Sequence, residues 1–91
     1  MKFRITPHRT AAPPEQAIEL LGQRLGARRE EVTFVRVGAE LRANVDRDDP
    51  VAMTSDERSD IGRRAVLEII GEVCERTPGL KFDWYAVSPA R

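Results

Sequence analysis

The chain has little of several residue types, and each shortage excludes a class of protein. One cysteine, Cys74, occurs among 91 residues, so no disulfide can form within the chain. Aromatic residues make up 5% of the chain, and 15 basic residues balance 15 acidic ones. A chain without a basic surplus does not bind the phosphate backbone of nucleic acids through bulk charge. These shortages exclude a disulfide scaffold and a strongly basic nucleic-acid binder.

Long hydrophobic runs are missing as well. The most apolar stretch, residues 65–74, is interrupted by Glu68 and Glu72, whereas a membrane helix needs about 20 consecutive apolar residues. Residues 1–7 contain no apolar run of signal-peptide length. A lone cysteine is typical of reducing compartments. We therefore expect a cytoplasmic protein with no membrane partner.

The residues that are present are those of a small folded domain. Hydrophobic residues account for 41% of the chain and charged residues for 33%, a composition that excludes intrinsic disorder. A length of 91 residues suits one domain. We expect a single α+β domain over residues 1–91, ending in a short loose tail at 88–91.

Hydrophobic periodicity predicts the order β-α-β-β-α-β. The predicted strands are 2–5, 32–37, 40–45 and 80–87, and the predicted helices are 13–25, ended by Gly26, and 55–76, beginning at Thr54. A Gly38-Ala39 turn joins the middle strands and places Val37 opposite Glu40. Right-handed crossovers would then give a ferredoxin-like fold: a four-stranded antiparallel sheet with both helices on one face, in which the first strand is central.

Nucleophilic or acid–base catalysis finds little support. Cys74 lies between Glu72 and Glu75 near the end of a helix, where negative charge raises the pKa of a thiol. His8, the single histidine, falls in a loop far from that cysteine in the predicted fold. Asp46, Asp48 and Asp49 lack the spacing of a calcium-binding loop and are interpreted as a solvated turn. We expect no enzyme activity, no catalytic residue, no metal site and no cofactor.

Two glycines within the second predicted helix, Gly62 and Gly71, are unusual, because each costs up to about 1 kcal/mol relative to alanine there. Close packing within the chain is one interpretation. A helix–helix contact with another subunit is the other.

The sheet face opposite the helices is the most informative predicted surface. Its predicted interaction residues are Val35, Val37, Arg42, Tyr85 and Val87. Residues that could contact an anion or a nucleic acid are Lys2, Arg4, Lys81, Arg63 and Arg64. The leading hypothesis is a non-catalytic protein–protein interaction module with an accessory or regulatory role. Such a module would form a homodimer through this face or an open edge strand, or bind a larger protein.

Two alternatives come from other functional classes. An RNA-binding module would use the same predicted sheet face. Its Lys2, Arg4, Arg42 and Lys81 would contact phosphates, and Tyr85 would stack on a base. A regulatory domain would sense a small anionic ligand held by arginines at a dimer interface.

The charge is unevenly distributed, since residues 1–29 hold six basic and two acidic side chains, whereas residues 46–60 are acidic. This segregation also suggests head-to-tail complementarity between copies.

Overall fold

The fold is α+β, with two helices and one antiparallel five-stranded sheet. A computed structural model of the chain describes residues 1–9, 13–46 and 54–90. The strands are β1 (Lys2–Pro7), β2 (Arg28–Arg29), β3 (Val32–Val37), β4 (Glu40–Val45) and β5 (Tyr85–Pro89). The helices are α1 (Pro14–Leu25) and α2 (Ser55–Arg76), and a short 3-10 turn, Phe82–Trp84, precedes β5.

The sheet has the order β2-β3-β4-β1-β5, so the predicted count of four strands is wrong. The additional strand, β2, pairs Arg28 with Thr33 and Arg29 with Val32. A tight turn at Glu30, whose φ is 52°, returns the chain to β3. Two residues are too few to show an alternating pattern, which is why the sequence gives no sign of this strand.

β1 lies in the interior of the sheet, between β4 and β5, and is antiparallel to both. Ile5 is opposite Leu41 on one side and Val87 on the other. The strand runs to Pro7, two residues beyond its predicted end. Its alternation buries Phe3 and Ile5 and leaves Lys2 and Arg4 exposed.

The β3–β4 hairpin has the predicted register. Val37 is opposite Glu40, Val35 opposite Arg42, and Phe34 opposite Ala43. Gly38 adopts a φ of 63° at the first turn position, a conformation that glycine takes without steric cost. The prediction that a glycine-first turn sets this register is confirmed.

The two helices begin and end where the sequence suggests. Thr54 accepts a hydrogen bond from the Glu57 N–H at 3.2 Å, which caps α2 at its predicted start. Gly26 ends α1 with a φ of 74°, and the Arg29 guanidinium donates to the free carbonyls of Leu25 and Arg24 at 3.0 Å. Neither helix in the described part of the chain is both long and apolar enough to cross a membrane.

Both helices pack against the same face of the sheet and against each other. The side chains of the core that are most fully enclosed are Phe3, Ile5, Ile18, Leu21, Val32, Val66 and Ile70. They come from both helices and from strands near and far in the sequence, so one core joins the whole domain. The opposite face of the sheet has no element of the described chain packed on it.

The last predicted strand is wrong in phase. The 3-10 turn at Phe82–Trp84 replaces its first half, and β5 then continues through Pro89. This turn interrupts the two-residue alternation. Tyr85 and Val87 therefore face the core, although the sequence placed both on the opposite face of the sheet. Phe82 is left 47% exposed. Ser88 and Pro89 belong to the sheet, where a loose tail was expected, and Arg91 lies outside the described residues.

Candidate interaction surfaces

The open face of the sheet carries the side chains that alternate with the core residues. These are Lys2, Arg4 and Thr6 of β1, Arg28 of β2, Thr33, Val35 and Val37 of β3, Glu40, Arg42 and Asn44 of β4, and Ala86 and Ser88 of β5. Four of these described residues are basic, whereas Glu40 is the one acidic member. We call this set the open face.

Two adjacent valines form the apolar part of the open face. Val35 is 57% exposed and Val37 49% exposed, and both lie on β3 at the hairpin end of the sheet. A shallow groove of about 370 Å³ runs beside them, lined also by Lys2, Thr33 and Asn44. Large aliphatic side chains so exposed and so close together are typical of contact surfaces.

The charged centre of the open face is an ion-pair network around Glu40. Arg4 donates two hydrogen bonds to its carboxylate, at 2.8 and 3.1 Å, and the Arg42 Nε lies 2.9 Å from the same carboxylate. The hydrogen bond from Arg4 lowers the pKa of Glu40, and the carboxylate in turn raises the pKa of Arg4. Both arginines therefore have a protein partner, while Lys2 and Arg28 border the face.

Tyr85 and Val87 do not belong to the open face, where the sequence placed them. Both are buried, at 7% and 4% exposure. The Tyr85 hydroxyl donates to the Ala17 carbonyl of α1 at 2.8 Å, and burial raises the pKa of Tyr85 to about 12. The single tyrosine is therefore a core residue that links β5 to α1, and the described open face has no aromatic side chain on which a base could stack.

The residues predicted to contact an anion are not brought together. Lys2 and Arg4 share the open face, but Arg63 and Arg64 lie on α2, which covers the opposite face of the sheet. The Arg63 Nε donates to the Val87 carbonyl at 2.8 Å. Lys81 is exposed just before the 3-10 turn. Arg28, which was not predicted as a site residue, joins Lys2 and Arg4, because β2 carries it to the open face.

A second surface lies on the helical side of the molecule. The α2 groove, as we name it, has a volume of about 560 Å³ and runs along α2 beside the 3-10 turn. It is lined by Arg64, Leu67, Glu68, Gly71, Cys74, Glu75, Leu80 and Phe82. The sequence offered a helix–helix contact at Gly71 as one interpretation, but it did not predict this groove, because the regular alternation of residues 80–87 gives no sign that Phe82 is exposed.

The polar groups considered for catalysis stay apart. Cys74 is half-buried, and burial raises the pKa of its thiol, which disfavours the nucleophilic thiolate. His8 is exposed at the end of β1. Asp46 is exposed, whereas Asp48 and Asp49 lie outside the described residues. Within 1–9, 13–46 and 54–90, no three His, Cys, Asp or Glu residues are grouped closely enough to hold a metal ion.

No protein-family model, no curated protein and no solved structure matches this chain.

Proposed function

We propose that this chain is a non-catalytic protein-interaction module of accessory or regulatory type, and that it self-associates through the open face. The observation that carries the proposal is the exposed Val35–Val37 pair on a sheet face that no described element covers. Burying these two side chains against a second copy would remove apolar area from water, which favours association.

The ion pairs at the centre of the face are compatible with the same use of it. The Arg4 and Arg42 side chains both pair with Glu40, so each guanidinium keeps an anionic neighbour when the face is covered, although the three groups together carry one positive charge. Arg28 lies on the edge strand β2, where it would stay in contact with water.

The backbone hydrogen bonds at the β5 edge of the sheet favour contact through the open face rather than through β5. The His8 N–H donates to the Trp84 carbonyl at 2.6 Å. In an antiparallel pair every second residue bonds to the neighbouring strand, so the backbone groups of Tyr85, Val87 and Pro89 point away from β1. The Tyr85 N–H donates to Phe82, the Val87 carbonyl accepts from Arg63, and Pro89 has no N–H. An added strand would find few free groups on this edge.

We also propose a ferredoxin-like arrangement for the four longer strands and two helices, with β2 as an extra edge strand. It is supported by the order β3-β4-β1-β5 and by the two helices sharing one face. A cytoplasmic location is part of the proposal, supported by the presence of a single, half-buried cysteine, Cys74, rather than a set of disulfide-forming cysteines.

Sedimentation analysis of the purified chain over a range of concentrations tests self-association. We expect a reversible dimer, weakened roughly tenfold or more by Val37→Glu, because the introduced carboxylate would be buried next to apolar groups. Phe82→Glu is the matched control: Phe82 is 47% exposed and Val37 is 49% exposed, but Phe82 lies on the other side of the molecule, so this variant should dimerise like the wild type.

A chain that stays monomeric at high concentration contradicts the self-association part of the proposal. Equal weakening by Val37→Glu and Phe82→Glu would show that the open face is not the contact. Circular dichroism of both variants shows whether the fold is retained.

A further inference from the structure

The packing of the chain itself does not explain why residue 71 is a glycine. A Cβ built at Gly62 would lie 2.9 Å from the ring of Phe3, so close packing requires glycine there. A Cβ at Gly71 would meet nothing nearer than the Phe82 ring at 3.8 Å, which is ordinary contact distance. Glycine in a helix interior is unfavourable relative to alanine, and at position 71 no close internal contact compensates for it.

Gly71 lies at the middle of the α2 groove. The groove-lining residues of α2 recur at the spacing of one helix face, from Arg64 to Glu75, which spans about 16 Å, or three turns. The floor is apolar and includes Leu67 and Leu80, and the 47% exposed Phe82 forms a wall. The missing side chain at Gly71 gives a partner backbone room to approach α2 closely.

Three charged side chains line the groove: the basic Arg64 at one end and the acidic Glu68 and Glu75 further along α2. Glu68 and Glu75 are exposed, lie two helical turns apart, about 10 Å along the axis, and form no ion pair among the described residues. A second copy of α2 crossing antiparallel at Gly71 would bring Glu68 against the Glu75 of the other copy. Like charges placed together disfavour that contact, so the groove does not suit self-association through α2.

We propose that the α2 groove binds an amphipathic helix of a partner protein, one whose apolar side is flanked by Lys or Arg residues seven positions apart. The apolar residues of such a helix would pack over Gly71 between Leu67 and Phe82, in the helix-in-groove mode. Its basic residues would face Glu68 and Glu75. This site is separate from the open face and does not depend on the proposed function of that face.

The test uses two stapled helical peptides of about three turns, because short unstapled helices are unstable in water. Both carry leucines on one face; one has lysines and the other glutamates at the two flanking positions, seven residues apart. Titration followed by backbone amide NMR should show saturable binding of the lysine peptide, with the largest shifts at Leu67, Gly71 and Phe82. The glutamate peptide should bind roughly tenfold more weakly or not at all.

Variants then separate shape from charge. Gly71→Leu fills the groove and should weaken the lysine peptide roughly tenfold or more. The double variant Glu68→Lys, Glu75→Lys changes exposed positions only, and should reverse the preference so that the glutamate peptide binds better. Glu19→Lys, at an exposed position of α1 outside the groove, is the control and should bind the lysine peptide as the wild type does.

Absence of saturable binding, shifts located outside the groove, or binding unchanged by Gly71→Leu would each overturn the proposal. So would a preference for the lysine peptide that persists in the double variant. These results leave the dimerisation test untouched, because that test depends on Val37 of the open face, and its control Phe82→Glu changes only the groove.

Discussion

At the scale of single residues, Gly62 and Gly71 show how surroundings decide the effect of the same substitution. Both occupy the interior of α2, nine positions apart in the same helix. Gly62 is buried against Phe3, which is itself only 1% exposed and cannot move freely. Gly71 lies half-buried at the surface, with room for a methyl group. Their helix propensities are identical, so a difference in stability between variants would come from packing.

We expect Gly71→Ala to raise the free energy of unfolding by up to about 1 kcal/mol, since the gain in helix propensity is not opposed by any clash. Gly62→Ala should lower it by about 1 kcal/mol, because overpacking of roughly 1–3 kcal/mol exceeds the same gain. Urea denaturation of the wild type and both variants measures this pair. Similar changes in both variants would contradict the packing difference.

The residues of the open face were predicted correctly in part. Val35 and Val37 are exposed on the open face as the hairpin register required, because a two-residue turn fixes which side each residue faces. Arg28 was missed because its strand is too short to show a pattern. Glu40 was assigned to the correct face, but its pairing with both Arg4 and Arg42 joins two strands that are distant in sequence, and periodicity within one segment carries no such information.

At the scale of elements, the hairpin and α2 could be predicted and β5 could not. The hairpin has local signals, a glycine-first turn between alternating strands, and α2 has a threonine cap and an apolar stripe. Residues 80–87 alternate just as regularly, yet the 3-10 turn shifts their phase. A tertiary contact decides which of these residues face the core, because the Tyr85 hydroxyl donates a hydrogen bond to the Ala17 carbonyl of α1. The interior position of β1, in contrast, is the one that the sequence predicted, although its partners in β4 and β5 lie far along the chain.

The contact between β5 and α1 gives a pH dependence at the level of these two elements. The ordinary pKa of tyrosine is 10, and burial raises that of Tyr85 to about 12 in the folded chain. Below pH 10 the hydroxyl is protonated in both states and its contribution to stability is complete. Between these two values the unfolded chain loses the proton and the folded chain keeps it, so the free energy of unfolding falls as pH rises.

Urea denaturation at about pH 9 and about pH 11.5 measures this fall. Tyr85→Phe is the control, because it retains the ring and has no ionisable group. We expect a smaller decrease in stability over the same interval for Tyr85→Phe than for the wild type. Equal decreases would mean that other titrating groups, and not Tyr85, cause the pH dependence.

At the scale of the whole molecule, the balanced charge of the chain hides an uneven surface. The described open face has four basic residues and one acidic residue, whereas α2 exposes six acidic and three basic side chains. A neutral total therefore does not make either surface neutral. Two copies that meet through their open faces must overcome repulsion between like charges.

Salt should therefore strengthen face-to-face dimerisation, because ions screen that repulsion. We expect the association constant from sedimentation to rise severalfold between about 50 and about 300 mM NaCl. RNA binding through the same basic residues would weaken steeply over this interval, which fluorescence anisotropy with a labelled single-stranded RNA measures. Dimerisation that weakens with salt would instead indicate head-to-tail contact, and tight salt-sensitive RNA binding would favour the nucleic-acid alternative.

The interior position of β1 has a consequence for how the chain folds during its synthesis. Phe3 and Ile5 leave the ribosome well before their neighbours in β5, Pro89 and Val87, which lie more than 80 positions further along the chain. Until β5 emerges, one edge of β1 has no partner and Ile5 lacks one wall of its enclosure. Pairings between such distant segments are slow to form, so we expect the sheet to close only when synthesis has passed Pro89.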